Sequence, residues 1–171
     1  MAYPNIIYTD HFCFKCYSLL SDSEHRTIWQ MRNAPEIRKY MDNPEPFPFE
    51  NHQKFVSSLT DRSVRAYYGV YEIVGGKLIG NQSIISIKKG SEAESGQYIF
   101  HTKQGHGYGT LMKYEFINYL FSEGLLQRSV EKVKVFNERN IHLNQKLGFR
   151  LYDSDSEYNY YEVTPSTLLA P

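Results

Sequence analysis

Residues 103–116 read KQGHGYGTLMKYEF: glycines at 105, 107 and 109, then an apolar-rich run with no further glycine until Gly124. A glycine inside a regular element costs roughly 0.5–1 kcal/mol relative to alanine. Three of them directly before a helical pattern restrict what the chain can build. A strand that ends in a glycine-rich turn and opens a helix leaves the first backbone N–H groups of that helix without internal partners. The helix dipole adds partial positive charge at the same place, and the two effects together make an anion cradle. The segment lacks the Gly-Lys-Ser/Thr ending of a P-loop. It also follows antiparallel strands, with no parallel unit before it, so it is no dinucleotide fingerprint. A pyrophosphate is the ligand that fits best. On the glycines alone, a loop serving only as a turn is the alternative.

The neighbouring patterns place this cradle in a sheet. Residues 12–20 read as a first strand. Ser21 stands three residues before Glu24, a capping-box spacing that predicts a helix to about Arg32. Pro35 and Pro44 bracket a short second helix, PEIRKYM, and NPEPFPFE reads as a surface loop. A helical pattern returns from Asn51 to about Leu59. AYYGVYEIV and KLIGNQSIISIKK flank Gly75-Gly76 as a hairpin. GSEAES reads as a loop, GQYIFHT as a strand, and the helix after the glycines runs to about Phe121. VEKVKVF is a buried strand, ERNIHLNQKL a short helix, and GFRLYDSDSEYNYYEVT a terminal hairpin. The expected fold class is a single-domain α/β (α+β) arrangement over residues 1–171, with its core at about 12–163. Its sheet is mixed and mostly antiparallel, with about seven strands and four to five helices.

Composition removes several function classes. Nineteen Lys and Arg balance nineteen Asp and Glu, against a nucleic-acid binder driven by phosphate neutralisation. No run of about 18 apolar residues exists, so no membrane span is expected. The segment MAYPNIIYTDHF lacks a basic region and a long apolar stretch, so no signal peptide is expected and the cytoplasm is the expected location. Cys13 and Cys16 form a C-x-x-C, but HFCFKCYSL alternates like a strand and points the two thiols to opposite faces. They are read as structural thiols, which suits a reducing compartment. No metal is expected.

About thirty residues after the glycines comes VKVFNERNIHLNQKLGF. Gln104-x-x-Gly107-x-Gly109 resembles the acyl-CoA motif of the GNAT superfamily of N-acetyltransferases. The later run resembles that family's valine-rich strand, asparagine, short helix and Lys-Leu-Gly-Phe ending. The resemblance covers about residues 12–163. It implies an enzyme that transfers acetyl from acetyl-CoA directly to a primary amine. It implies that the backbone N–H groups of Gln104, Gly105, His106, Gly107, Tyr108, Gly109 and Thr110 hold the CoA pyrophosphate. Ile99, Phe100 and His101 would bond the pantetheine arm edge-on like another strand, and Asn137 would contact the cofactor near its thiol end.

Amine acetylation needs a neutral amine, a donor for the oxyanion and a proton for the departing thiolate. The Ile99 N–H is the expected oxyanion donor. The family often places a tyrosine as proton donor at the position that aligns with Asn144, and an amide is a poor acid. Tyr98 and Tyr108 are then candidates, as is release of the thiolate to water. For the base, Glu94, Tyr98 and His101 lie on or beside the strand expected to face the acetyl group.

IWQMRNAPEIRKYM, followed by Asn51-His52 opening a helix, resembles one branch of the superfamily. That branch holds ribosomal-protein N-terminal acetyltransferases and the N-acetyltransferases of nucleotide-linked amino sugars of the pseudaminic-acid pathway. Arg32 and His52 are expected to clamp the diphosphate of such a small-molecule substrate, although Arg32 pairing with Glu36 is the plainer alternative. The leading expectation is acetylation of a nucleotide-linked amino sugar for surface-glycan synthesis. Acetylation of a protein N-terminus, a polyamine or an aminoglycoside stands beside it, as does a non-enzymatic acyl-CoA-binding module. Oligomeric state is left open, a homodimer included.

Overall fold

The computed structural model describes residues 1–171. Period-two alternation writes most of its sheet. Strand β1 (Ile6–Tyr8) is short and was not evident in the sequence pattern. In β2 (Phe12–Cys16), Phe12, Phe14 and Cys16 are buried while Cys13 and Lys15 are half-exposed. This strand stops at Cys16 rather than running to residue 20, because Tyr17–Leu19 form a 3₁₀ turn. Helix α1 (Asp22–Asn33) carries the expected capping box: the Ser21 side chain accepts from the Glu24 N–H while the Glu24 carboxylate accepts from the Ser21 N–H. Pro35 opens α2 (Pro35–Arg38), and α3 (Phe49–Ser57) follows the proline-rich loop.

Strands β3 (Arg65–Glu72) and β4 (Leu78–Lys88) form the hairpin around Gly75-Gly76. Strand β5 spans Glu92–Ile99, so the segment read as a loop is the start of a central strand. Its first half buries only Ala93 and Ser95, and such small side chains give no hydrophobic run to read. Then come α4 (Tyr108–Ser122), β6 (Arg128–Lys134), α5 (Glu138–Lys146), β7 (Arg150–Ser154) and β8 (Tyr158–Val163). The sheet has eight strands in the order β1-β2-β3-β4-β5-β6-β8-β7, antiparallel except between β5 and β6. No helix is long and apolar enough to cross a membrane.

Helices cover both faces, and alternation decides which residues meet which layer. Tyr68, Val70, Ile79 and Ile84 join Phe12 and Phe14 on one face, under Met112, Phe116, Ile117 and Leu120 of α4. On the other face Tyr17, Ile28 and Phe100 pack with Leu20, Phe55, Tyr67 and Tyr98, beneath α1 and α3. Burying a side chain of this size contributes about 1.5–3 kcal/mol, so the layers on either side of β5 are firmly held. A cleft opens where that strand parts from β6.

Candidate active site

β5 and β6 pair only through Glu92–Arg128, Ala93–Ser129 and Glu94–Val130. Beyond these positions β5 continues against β4 to Ile99, and β6 continues against β8 to Lys134. The two strands splay, and two cavities meet in the gap. One is a groove of about 580 Å³ running over the glycine loop, α4 and α5. The other, about 500 Å³, lies beneath α1, α3 and the loop after α2. Tyr40, Met41, Gln97, Tyr98, Asn137 and Asn140 line both, so the two cavities share a junction.

The splayed edge of β5 supplies backbone groups. Phe100 N–H donates to Ile79 C=O across β4 at 2.9 Å. Antiparallel ladders alternate, so the N–H and C=O of Ile99, and of Gln97 two residues earlier, face away from β4 and into the gap. Ile99 lies on this edge, with its carbonyl accepting from Gln104 Nε2 at 3.0 Å. Phe100 and His101 do not extend that edge: Phe100 is buried and bonded to β4, and His101 is exposed on a 3₁₀ turn. Gln97 was missed because a polar residue inside a strand gives no signal of which way its backbone points.

The glycines explain themselves by backbone geometry. Gly105 and Gly107 adopt φ of +85° and +78°, the left-handed region that favours glycine. Gly107 is the N-cap of α4, and no side chain caps that helix. The first-turn N–H groups of Tyr108, Gly109 and Thr110 thus have no protein partner. Gly109 has a different reason: a Cβ there would meet Leu143 Cδ1 of α5 at 3.3 Å. Gln104, Gly105, Gly107, Gly109 and Thr110 line the groove with Lys103, Arg139 and Lys146, while His106 is exposed outside its walls. Arg139 donates to the Gln104 side-chain oxygen and ties the loop to α5.

Glu94 lies in the second cavity, and burial pushes its carboxyl up, with Asp42 and Glu131 adding to the rise against an opposing Lys132. Tyr98 stands at the junction; burial raises its phenol, while the neighbouring Tyr17 hydroxyl and the charge of Arg32 partly oppose the rise. Arg32, at the last turn of α1, projects into this cavity and donates to the Asn43 carbonyl at 3.2 Å. No carboxylate pairs with it, Glu36 included, and its Nη1 is buried without a protein partner.

His52 departs from the expected charged clamp. Its Nε2 lies 3.0 Å from His25 Nδ1, and His25 Nε2 lies 2.9 Å from the Tyr17 carbonyl. That carbonyl can only accept, so His25 donates from Nε2 and receives at Nδ1 from His52. Burial, reinforced by His25, lowers the His52 imidazole to about 4, so it is neutral near pH 7. It orders the cavity wall and stacks on Phe49.

Two other expectations are corrected. Asn144 is fully buried and accepts from the Lys113 ammonium at 2.7 Å, behind the cleft. Tyr108 turns its phenol to Glu72 at 2.6 Å, and Lys103 joins the same carboxylate at 3.0 Å. Neither side chain stands at the junction as an acid. Lys113 itself was not singled out from the sequence. The available signal was that Lys113 and Glu115 are the only charged residues of α4 and stand among Leu111, Met112, Phe116 and Ile117.

A family model described as an acetyltransferase (GNAT) domain matches residues 18–150. The chain belongs to that family, and it is an acetyltransferase whose acyl donor is acetyl-CoA. Among curated proteins it is similar to acetyltransferase PseH of Campylobacter jejuni subsp. jejuni, 28% identical over 148 residues, covering 85% of this chain and 89% of the relative. Its fold matches the crystal structure of C. jejuni N-acetyltransferase PseH in complex with acetyl coenzyme A. The TM-score there is 0.73 at 23% identity, over 90% and 99% of the two chains. It also matches RimL, a ribosomal L7/L12 α-N-protein acetyltransferase in complex with coenzyme A, with a TM-score of 0.77 at 17% identity over 93% and 97%.

Proposed function

We propose that this enzyme acetylates the primary amine of a nucleotide-linked amino sugar in surface-glycan synthesis. Arg32 carries the reading. A guanidinium projecting into the second cavity, with a buried nitrogen that no protein group satisfies, calls for an anionic oxygen from a ligand. The two phosphates of a sugar nucleotide supply such oxygens. The rings of Phe47, Phe55 and Tyr67 line the same cavity and suit the flat faces of a sugar or base. The likeness to PseH agrees with this.

Acetyl-CoA supplies an acyl group activated as a thioester. The α4 cradle would hold its pyrophosphate, and the free edge of β5 at Gln97 and Ile99 would orient its pantetheine arm. The Ile99 N–H faces the gap and is placed to donate to a developing oxyanion. Glu94, with its raised carboxyl, is placed to take the amine proton directly or through one water. Tyr98 keeps its phenolic proton at neutral pH and can donate it at the junction.

A protein N-terminus fits the cavity less well. Receiving a basic tail calls for free acidic groups. Glu131 is already paired to Lys113 at 2.6 Å and Asp42 to Lys132 at 2.7 Å, leaving Glu94 alone. A thiol-release assay on nucleotide-linked amino sugars, ribosomal N-terminal peptides and polyamines tests the assignment. Release is expected with the sugar nucleotides, and turnover of peptides or polyamines alone would refute it.

A further inference from the structure

Behind the junction, the Lys113 ammonium has no access to solvent and makes three hydrogen bonds. They run to Glu131 Oε2 at 2.6 Å, Asn144 Oδ1 at 2.7 Å and Asn140 Oδ1 at 3.0 Å. An ammonium has three donors and no acceptor, so this set is complete. Because Lys113 only donates, it fixes which way the Asn140 amide faces: the oxygen must turn toward the lysine and the nitrogen away. One Nδ2 hydrogen of Asn140 then meets Glu131 Oε1 at 3.2 Å. The Asn140 backbone N–H is held by the Asn137 cap at 3.3 Å, which pins the residue in the first turn of α5. The second Nδ2 hydrogen has no protein partner, and Asn140 lines both the cofactor groove and the second cavity.

We infer that Asn140 donates this hydrogen to the sulfur of the acyl donor, and that Lys113 and Glu131 are positioning residues that hold its amide for the purpose. The inference goes beyond the choice of amine and rests only on the acetyltransferase reading. In the transfer, the amine nitrogen forms its bond to the acetyl carbon and its proton passes to Glu94 or to water. The carbon–sulfur bond breaks and its electron pair stays on sulfur. The Asn140 N–H stabilises that thiolate without surrendering its proton. The thiolate then takes a proton from Tyr98 or from water. An amide in place of an acid therefore suffices, and the buried Asn144 is not required to act.

Free CoA provides the test, since its thiol titrates without any acceptor present. The thiolate is followed by ultraviolet absorbance from about pH 6 to about pH 10 in complexes of the parent, Asn140→Ala and Asn140→Asp. A hydrogen bond to a charged group lowers the bound thiol by about one to two pKa units. The parent is expected to show this lowering, Asn140→Ala to lose it, and Asn140→Asp to move the thiol above its value in the Ala variant. Asn140→Asp keeps the shape of the side chain, so it remains readable if the Ala variant binds CoA poorly. Identical thiol titrations in the parent and the variants that bind CoA would overturn the proposal. A wrong amine assignment would leave this measurement unchanged.

Discussion

The Lys113 ammonium lies 2.7 Å from Asn144 Oδ1, with only 1% and 0% of the two residues exposed. Isolating a charge this deeply costs several kcal/mol unless every donor is matched. Asn144→Leu removes one of three acceptors, so the protein should lose about 1–3 kcal/mol in urea denaturation. Asn144→Tyr, which would restore the side chain common in the family, has no space for a ring and should lose a similar amount by overpacking. A Tyr variant of parental stability and higher turnover would show that position 144 reaches the cleft.

The glycines make a separable pair. At Gly107 an added Cβ meets nothing within 4 Å, but φ is +78°. Gly107→Ala should therefore cost about 1–2 kcal/mol of backbone strain and weaken acetyl-CoA by distorting the cradle. Gly109→Ala keeps a helical backbone and presses on Leu143 at 3.3 Å, so its effect should be smaller in both respects. Calorimetric titration with acetyl-CoA checks this order, and a stronger effect at 109 than at 107 would reverse it.

His52 gives the molecule a stability that depends on pH. Its imidazole titrates at about 4 when folded and near 6.5 when unfolded. Between these values the unfolded state binds more protons, so stability rises with pH across the window and is lost as pH falls from about 6.5 toward 4. The loss should be on the order of 2 kcal/mol after allowing for solvent screening. His52→Phe should flatten this part of the profile in denaturation series. An unchanged slope would mean that His52 is charged in the native protein.

Glu94 should set the acid limb of the pH–rate profile. Its folded pKa is raised, mainly by burial, so the active carboxylate is lost on acidification at a higher pH than for an ordinary glutamate. Glu94→Gln should lower kcat by about 10²- to 10⁴-fold and remove that limb. A variant with the parental profile would exclude Glu94 as base.

Much of this site is legible in the chain because its signals are local. The capping box at Ser21, the glycine turn before α4 and the Asn137 cap of α5 each involve residues within a few positions of one another. What sequence reading misses depends on distant partners. Lys113 is buried because Glu131 lies 18 residues on and Asn144 31 residues on. His52 is neutral because it is buried, and buried against His25, 27 residues earlier. The start of β5 was hidden because it buries Ala93 and Ser95, residues too small to print an apolar pattern. Its free edge follows from where pairing with β6 stops, and no single strand carries that information.

Arg32 decides the central claim. If its guanidinium receives a phosphate of the acceptor, Arg32→Ala should raise the KM for a nucleotide-linked amino sugar by roughly ten- to a hundredfold, since a hydrogen bond to a charged group is worth about 1.5–3 kcal/mol. The KM for acetyl-CoA should stay within about twofold, because the site proposed for its pyrophosphate is the α4 cradle, on the other face of the sheet. Steady-state kinetics with both substrates varied gives the two constants in one experiment. A rise confined to the sugar nucleotide is the predicted result; unchanged constants for both substrates would contradict the account.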